Sequence, residues 1–166
     1  MGSTKTDALT FEPMTACTRS MIATMLYSLE GKPEVTYEAK FPDVKEGQWF
    51  TAPVMWAYQK GVVSGYSDGN FGPNDKVTRE QMAVILKAYT EKVKGLDTTK
   101  IADLSDFADV SKVTWSKPYI QWAVGQGLLS GKAQNGKTYL DPQGNASRAE
   151  VAAILRSFIL NILEAE

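Results

Sequence analysis

The sequence contains no histidine and a single cysteine, Cys17. These absences exclude intrachain disulfides, zinc sites built from cysteine and histidine, and every catalytic triad or acid–base pair that needs a histidine. An excess of charge of one sign is also missing, since 18 basic and 19 acidic residues leave a formal net charge of -1. This balance does not indicate a nucleic acid or an acidic membrane surface as a partner. We expect no metal site and no cofactor.

Long hydrophobic runs are absent as well. The longest candidate, residues 151–163, is interrupted by Arg156 and Asn161 and falls short of the roughly 20 apolar residues that cross a bilayer. We interpret it as a core helix and expect no membrane insertion. A content of 43% hydrophobic and 22% charged residues in a chain of 166 is typical of one globular domain. We interpret residues 1–6 as a cloning remnant or linker.

Residues 131–138 read Gly-Lys-Ala-Gln-Asn-Gly-Lys-Thr and match the G-x-x-x-x-G-K-[ST] pattern of a nucleotide-binding loop. That pattern binds phosphate when a buried strand runs into it and a helix begins within it, because the free helix amides must point at the phosphates. Here Pro142 cannot lie inside a helix that begins at Gly136. The segment before the pattern is also too short for a central parallel strand. We therefore predict a glycine-rich turn and no nucleotide site.

The sequence does contain an internal repeat, whose copies open at Phe41 and Phe107, 66 residues apart. Each copy starts with Phe-x-Asp-Val, continues through two tryptophans to a Ser-Gly pair, and ends with a proline and an arginine that opens a helical pattern. The loop after the Ser-Gly pair is three residues longer in the second copy. A third copy of the second half begins at Phe11. The matched polar and aromatic residues are Asp43 and Asp109, Trp49 and Trp115, Ser64-Gly65 and Ser130-Gly131, and Arg19, Arg79 and Arg148.

Amphipathic helices follow the three arginines, because apolar residues recur three and four positions apart behind each of them. These apolar residues are Ile22, Met25, Leu26 and Leu29, then Met82, Ile85, Leu86 and Tyr89, then Val151, Ile154, Leu155 and Phe158. Thr18, Thr78 and Ser147 are suitable N-caps, and the last two form capping boxes with Gln81 and Glu150. The starts of three helices are therefore specified by local sequence.

The front half of each full copy is predicted to hold an extended Phe-x-Asp-Val segment and then a shorter helix. That helix carries Trp56 or Trp122 and ends at Gly61 or Gly127. We expect these two mid-helix tryptophans in the core. Trp49 and Trp115 stand just after a turn and outside a helical stripe, so they could offer flat faces to sugar rings.

Arg19, Arg79 and Arg148 each stand directly after an N-cap. A cation there faces the positive end of the helix dipole, which costs on the order of 0.3–1 kcal/mol. Three such residues in register indicate a function, because local rules tend to be broken at functional sites. A guanidinium beside free helix amides would bind a carboxylate or a phosphate. Alternatively, each arginine pairs with an acid of a neighbouring repeat, such as Asp43 or Asp109, and fixes the packing.

The order Phe-x-Asp-Val, Trp, Ala-x-x-x-Gly, Gly-x-x-Asp-Gly-x-Phe-x-Pro and Thr-Arg-x-x resembles the S-layer homology module. The resemblance covers nearly all of residues 7–163. It divides them into the second half of a first module at 7–30, a second module at 41–91 and a third at 107–163, all in one compact domain. It implies a mainly α fold with pseudo-threefold symmetry, in which three long helices form a central bundle, short helices and loops form prongs, and ligand grooves lie between modules.

The resemblance also implies a function, which is non-covalent anchoring to secondary cell-wall polysaccharide outside the cell, without catalysis. Family members typically recognise pyruvylated N-acetylmannosamine, whose ketal carries a carboxylate. In this chain arginine would hold the acidic group, aspartate and backbone amides would hold hydroxyls, and tryptophan would stack. The ligand-binding residues implied are Arg19, Asp43, Trp49, Ser64, Gly65, Arg79, Asp109, Trp115, Ser130, Gly131 and Arg148.

Two departures from the family pattern qualify this interpretation. Only residues 147–150 come close to the full Thr-Arg-Ala-Glu motif. The first module lacks its front half, so we expect at least one incomplete groove. The alternative function is a protein-interaction or self-assembly module of a surface protein, in which the arginine and aspartate residues are structural.

Overall fold

Helices dominate the computed structural model, which describes residues 14–164. The five α-helices in this part of the chain are Arg19–Leu29 (α1), Thr51–Gln59 (α2), Arg79–Lys92 (α3), Lys117–Gly125 (α4) and Arg148–Phe158 (α5). The remaining elements are a 3₁₀ turn at Val110–Lys112, a π-helical turn at Ile159–Leu163, and the antiparallel strands β1 (Lys132–Gln134) and β2 (Lys137–Tyr139). The predicted mainly helical fold is confirmed. Within residues 14–164, no helix combines the length and apolar character needed to cross a membrane.

The three helices that follow the arginines, α1, α3 and α5, begin where the caps predict. The hydroxyls of Thr18, Thr78 and Ser147 each accept the N–H of the residue three positions later. That later residue returns a bond in all three cases, so the capping boxes of α3 and α5 are confirmed. In α1 the sulfur of Met21 plays this part, which its residue type did not predict. Each box satisfies amides that a helix start leaves without intrahelical partners.

Three backbone hydrogen bonds connect the segments that precede these caps. The N–H of Cys17 donates to the carbonyl of Ala146 at 2.8 Å, Ala146 donates to Val77 at 2.9 Å, and Val77 donates back to Cys17 at 2.9 Å. All three residues are buried. The bonds therefore close a ring that ties the starts of α1, α3 and α5 around one point of the core.

The short helices α2 and α4 end as predicted at Gly61 and Gly127, which have φ of +77° and +76°. After α2, the N–H of Val62 donates to the carbonyl of Ala57, and that of Gly61 to Tyr58. This pair of bonds is a Schellman motif, which requires the left-handed conformation that glycine adopts without strain. The α2 helix packs on α1, and α4 packs on α3. Trp56 and Trp122 are buried in the shared core, as predicted.

Two sequence predictions about local structure were wrong. The Phe-x-Asp-Val segments are turns, because Val44 donates to the carbonyl of Phe41 at 3.1 Å and Val110 to that of Phe107 at 3.3 Å. The bend brings the intervening aspartate up to a neighbouring loop. Leu29, placed on the apolar stripe of α1, is 40% exposed. It is the last residue of the helix, and the chain turns away at Gly31, where φ is +80°.

The segment with the nucleotide-loop pattern is a β-hairpin. Strands β1 and β2 are joined by Asn135 and Gly136, whose φ values are 52° and 77°. Positive φ at both central residues is what a type I′ turn needs, and Asn-Gly is its favoured dipeptide. The next helix begins only at Arg148. The predicted turn is confirmed, and no helix begins within residues 131–138.

The predictions for residues 1–6 and for Phe11 lie outside the described residues.

Candidate functional site

Two grooves run along corresponding faces of α3 and α5. Groove A has a volume of about 500 Å³ and groove B of about 540 Å³. Groove A is lined chiefly by Arg19, residues 61–64, Gln81, Ile85, Lys92 and Trp115. Groove B is lined chiefly by Arg79, residues 127–132, Glu150, Ile154 and Ser157.

The grooves are two copies of one site, because their lining residues occupy the same positions in the repeat. Gln81 and Glu150 each stand two residues after the arginine that opens their helix, and Ile85 and Ile154 stand six residues after it. In both grooves, the arginine comes from the start of the preceding long helix. The Ser-Gly loops form the opposite wall.

Arg19 is held in groove A by carbonyl groups and aromatic rings. Its Nε donates to the carbonyl of Phe71 at 2.9 Å, and its Nη2 donates to that of Ser64 at 2.7 Å. The guanidinium carbon lies 4.8 Å from the ring centre of Tyr66 and 4.4 Å from that of Phe71. Within residues 14–164, Nη1 donates no hydrogen bond and Arg19 has no ion pair. Arg19 is 7% exposed, and this remaining edge borders the groove.

Arg79 in groove B has the same backbone bond but a different charge partner. Its Nε donates to the carbonyl of Leu140 at 2.7 Å, and its Nη1 donates to Glu150 Oε2 at 2.5 Å. Glu150 also lies 4.0 Å from the Nζ of Lys132, which pairs with Asp141 at 3.1 Å. The cation in groove B is therefore neutralised by the protein.

Arg148 lines neither groove. Its backbone N–H donates to the carbonyl of Thr15 at 2.8 Å. Its Nε is buried and has no hydrogen-bond partner within residues 14–164.

The two predicted aspartates support the groove walls. Asp43 accepts the amides of Phe71 and Gly72 at 2.9 and 2.8 Å. Asp109 accepts those of Leu140 and Asp141, both at 2.8 Å. The alternative that each arginine pairs with an acid of a neighbouring repeat holds for Arg79, whose partner is Glu150 of the next repeat. Within residues 14–164, neither Arg19 nor Arg79 forms an ion pair with Asp43 or Asp109. A contact between the aspartates and sugar hydroxyls stays a prediction.

The exposed tryptophans separate into one that borders a described groove and one that does not. Trp115 is 57% exposed and lies at groove A. Trp49 is 62% exposed, lies just before α2, and lines neither groove A nor groove B. Their equivalence in the repeat therefore does not give them equivalent surroundings in residues 14–164.

The Ser-Gly pairs shape the loop walls. Ser64 and Ser130 line grooves A and B, and the carbonyl of Ser64 accepts from Arg19. A Cβ on Gly65 would come within 2.5 Å of the Phe41 ring, and a Cβ on Gly131 would meet Thr138 Cγ2 at 2.5 Å. Both glycines are required for these close approaches.

Sequence reasoning missed the groove residues on α3 and α5 that differ in charge, Gln81 and Glu150. Both were assigned only to capping boxes, where one oxygen does accept the N–H of the N-cap residue. It also missed Lys92, whose chain lies against Gly61. Alignment of the repeats on their arginines puts Gln81 and Glu150 at the same position, and Lys92 lies on the same face of α3 as Gln81. This alignment is the signal that could have found them.

Protonation equilibria reflect the two environments. Burial lowers the pKa of Arg19, opposed by Tyr66, Asp75 and Asp43. Burial acts to raise the pKa of Glu150, but the Ser147 amide and the charges of Arg79 and Lys132 outweigh it, so the pKa lies below its ordinary value. Glu150 therefore remains ionised at neutral pH. Residues 14–164 contain no acidic or cysteine cluster suited to a metal ion.

Comparison with known proteins identifies the repeat. The model of the S-layer homology domain matches residues 40–83 and 106–152, which together exceed half of the chain. The chain belongs to the S-layer homology family. These two segments coincide with the core of the second and third predicted modules, and the exact module boundaries stay predictions.

Similar proteins are much longer than this chain. The surface-layer 125 kDa protein of Lysinibacillus sphaericus is 31% identical over 153 residues, covering 92% of this chain and 12% of that protein. An amylopullulanase of Thermoanaerobacterium thermosulfurigenes is 33% identical, with 87% of this chain and 8% of the relative covered. A cellulosome-anchoring protein of Acetivibrio thermocellus is 26% identical, with 87% and 32% covered. The chain thus spans a minor part of each relative.

Proposed function

We propose that this chain anchors a larger protein non-covalently to the cell wall, outside the cell, by binding an acidic secondary wall polysaccharide and without catalysis. The unit bound is pyruvylated N-acetylmannosamine, held in grooves between modules. The modules are arranged around a pseudo-threefold axis, with α1, α3 and α5 as the central bundle and the short helices and loops as prongs. Support comes from the family, from relatives named as surface-layer and cellulosome-anchoring proteins, and from the ring of bonds at Cys17, Val77 and Ala146.

The observation that carries the proposal is the juxtaposition of Arg19 and Trp115 on groove A. The guanidinium has two of its edges fixed by carbonyls, so it is already oriented when a ligand arrives. Its Nη1 is the free donor for a carboxylate oxygen. The exposed ring of Trp115 offers an apolar face to a sugar ring. A groove of about 500 Å³ is in the size range of small-molecule sites.

Comparison of two tryptophan variants tests the groove. We expect Trp115→Ala to lower binding to purified cell walls about tenfold, because the sugar ring loses its packing on the indole face and the apolar area buried there. Trp49→Ala is the matched control, since it removes an equally exposed ring outside grooves A and B. The measurement is co-sedimentation with walls over a concentration series.

The acidic group is tested with walls whose ketals have been removed by mild acid. Wild-type protein is expected to sediment with intact walls and to lose most of this binding on treated walls. Equal binding to both preparations would contradict recognition of the carboxylate. Absence of binding to either, together with concentration-dependent self-association in sedimentation velocity, would favour the alternative of a self-assembly module.

A further inference from the structure

One position distinguishes the chemistry of the two grooves. Two residues after the arginine of the long helix, α3 has Gln81 and α5 has Glu150. The side chains share the capping role, since Gln81 Oε1 accepts the N–H of Thr78 and Glu150 Oε1 accepts that of Ser147. The second oxygen of Glu150 binds Arg79. Gln81 carries no charge, so groove A has no carboxylate at this place.

A second matched position adds to the difference. Lys92 of α3 lines groove A, with its Nζ lying 3.2 Å from the place of a Cβ on Gly61. Its counterpart is Asn161, whose amide donates to the carbonyl of Gln126 at 2.9 Å. Groove A therefore has a lysine at the position where the third module has the uncharged Asn161, whose side chain is bound to the backbone of Gln126.

The two grooves differ in how their charged side chains are paired, although each is lined by two basic residues and one acid. In groove A, the acid is Glu91, which bonds to Lys87 at 2.7 Å outside the groove. Within residues 14–164, Arg19 and Lys92 have no acid within 4.0 Å. In groove B, Arg79 pairs with Glu150, and Lys132 pairs with Asp141.

We propose that the grooves divide the ligand between them, with groove A binding the carboxylate-bearing sugar and groove B binding an uncharged sugar of the same polymer. This inference rests on the proposed function and assigns a ligand class to each of its grooves. In groove A, an incoming carboxylate meets Arg19 Nη1, and Arg19 is paired with no acid of residues 14–164. The one acid that lines this groove, Glu91, is bound to Lys87. In groove B, the same carboxylate would have to displace Glu150 from Arg79 and approach a like charge.

Reciprocal substitutions at the two positions test this division. Gln81→Glu gives groove A the acid of groove B, and Glu150→Gln removes that acid from groove B, while both residues can keep the capping bond. Gln134→Glu is the control for Gln81→Glu, because it makes the same change in net charge at an exposed residue of β1 that lines neither groove. The readout is the NMR signal of the Nε–H groups of Arg19 and Arg79.

The probes are pyruvate, the methyl glycoside of pyruvylated N-acetylmannosamine, and the same glycoside without the ketal, each titrated at constant ionic strength. For the wild type, we expect both acidic probes to shift the Arg19 signal at lower concentration than the Arg79 signal. Gln81→Glu should weaken the Arg19 response about tenfold, because a new anion lies in the same groove. Glu150→Gln should bring the Arg79 response to within about threefold of that of Arg19.

The outcomes separate the inference from the proposed function. Equal responses of Arg19 and Arg79 in the wild type, or an unchanged Arg19 response in Gln81→Glu, would overturn the division even if both grooves bind the acidic glycoside. No response of Arg19 to either acidic probe would overturn it as well. A selective response of Arg19 to pyruvate, without binding of either glycoside, would support the charge difference and contradict polysaccharide anchoring.

Discussion

Arg19 and Arg79 occupy the same position of the repeat, but different groups surround their guanidinium charges. Each donates from Nε to a loop carbonyl, at 2.9 Å for Phe71 and 2.7 Å for Leu140. Arg19 is then surrounded by the carbonyl of Ser64 and two aromatic rings. Arg79 is bound by the carboxylate of Glu150. The repeat preserves the structural bond of the arginine and varies its electrostatic partner.

A buried cation at this position of the repeat can therefore be either a structural element or a receptor for an anion. A buried charge must be compensated by hydrogen bonds or by an opposite charge. Carbonyl dipoles and ring faces stabilise a guanidinium without cancelling its charge. A carboxylate both stabilises it and cancels its attraction for other anions. In groove A, the rings of Phe71 and Tyr66 stabilise the guanidinium of Arg19 in this way. The corresponding residues of groove B are Leu140 and Lys132, which have no aromatic ring.

The two loops should differ most in stability when the aspartates that support them are removed. Asp109→Ala removes the acceptor of two amides beneath groove B, and we expect it to lower the free energy of unfolding by about 3 kcal/mol. Asp43→Ala should cost about 2 kcal/mol, because Asp43 is the less buried of the pair. Urea unfolding followed by tryptophan fluorescence measures both.

Asp106→Ala is the control for these variants, because Asp106 is exposed in the same segment. We expect it to change stability by less than about 0.5 kcal/mol. If Asp109→Ala were as harmless as Asp106→Ala, the carboxylate would have no structural role, and its proposed contact with sugar hydroxyls would gain weight.

Local chemistry explains which parts of this fold could be predicted. Helix starts depend on caps within four residues, so Thr78, Ser147 and their partners identified α3 and α5 directly. The ends of α2 and α4 could be predicted from Gly61 and Gly127 alone, because glycine readily adopts the positive φ that ends a helix. The tryptophan pairs were separable because Trp56 and Trp122 lie within the apolar helices and their two relatives do not.

Tertiary contacts explain what the sequence alone did not reveal. The turn at Phe41–Val44 forms because Asp43 reaches the amides of a loop 28 and 29 residues away. The partner of Arg79 is Glu150, 71 residues distant, and a capping box already accounted for that glutamate. A residue with two partners reveals only the nearer one in a linear pattern.

The charge pair between Arg79 and Glu150 in groove B should contribute less to stability than the aspartates. Glu150→Gln should lower the free energy of unfolding by about 1–2 kcal/mol at neutral pH, because the ion pair with the buried Arg79 is replaced by a hydrogen bond from the guanidinium to an uncharged amide. Gln81→Glu has no such bond to lose and is the matched comparison. Thermal and urea unfolding of the three proteins measure the differences.

The pH dependence of this loss follows from the pKa of Glu150, which is lowered from its ordinary value of 4.5. A lowered pKa means that the carboxylate stabilises the fold above about pH 4.5, and that this contribution disappears as pH falls through the folded-state pKa. Wild type and Glu150→Gln should therefore differ most at neutral pH and converge in acid. A difference that grows towards low pH would contradict the ion pair.

The smallest expected effects are at the tips of the two loops that follow the Ser-Gly pairs. Gly69 and Gly136 have φ of +92° and +77°, and a Cβ at either would meet nothing within 4 Å. Gly69→Ala and Gly136→Ala should each cost about 1 kcal/mol, because the strain of a left-handed alanine is the only penalty. Gly136→Asn is the control and should cost less, since asparagine tolerates this conformation. Calorimetric unfolding measures the loss of stability in each variant. A loss above about 3 kcal/mol at Gly136 alone would have the size of broken core packing. It would mean that the longer loop of groove B is part of the packed structure.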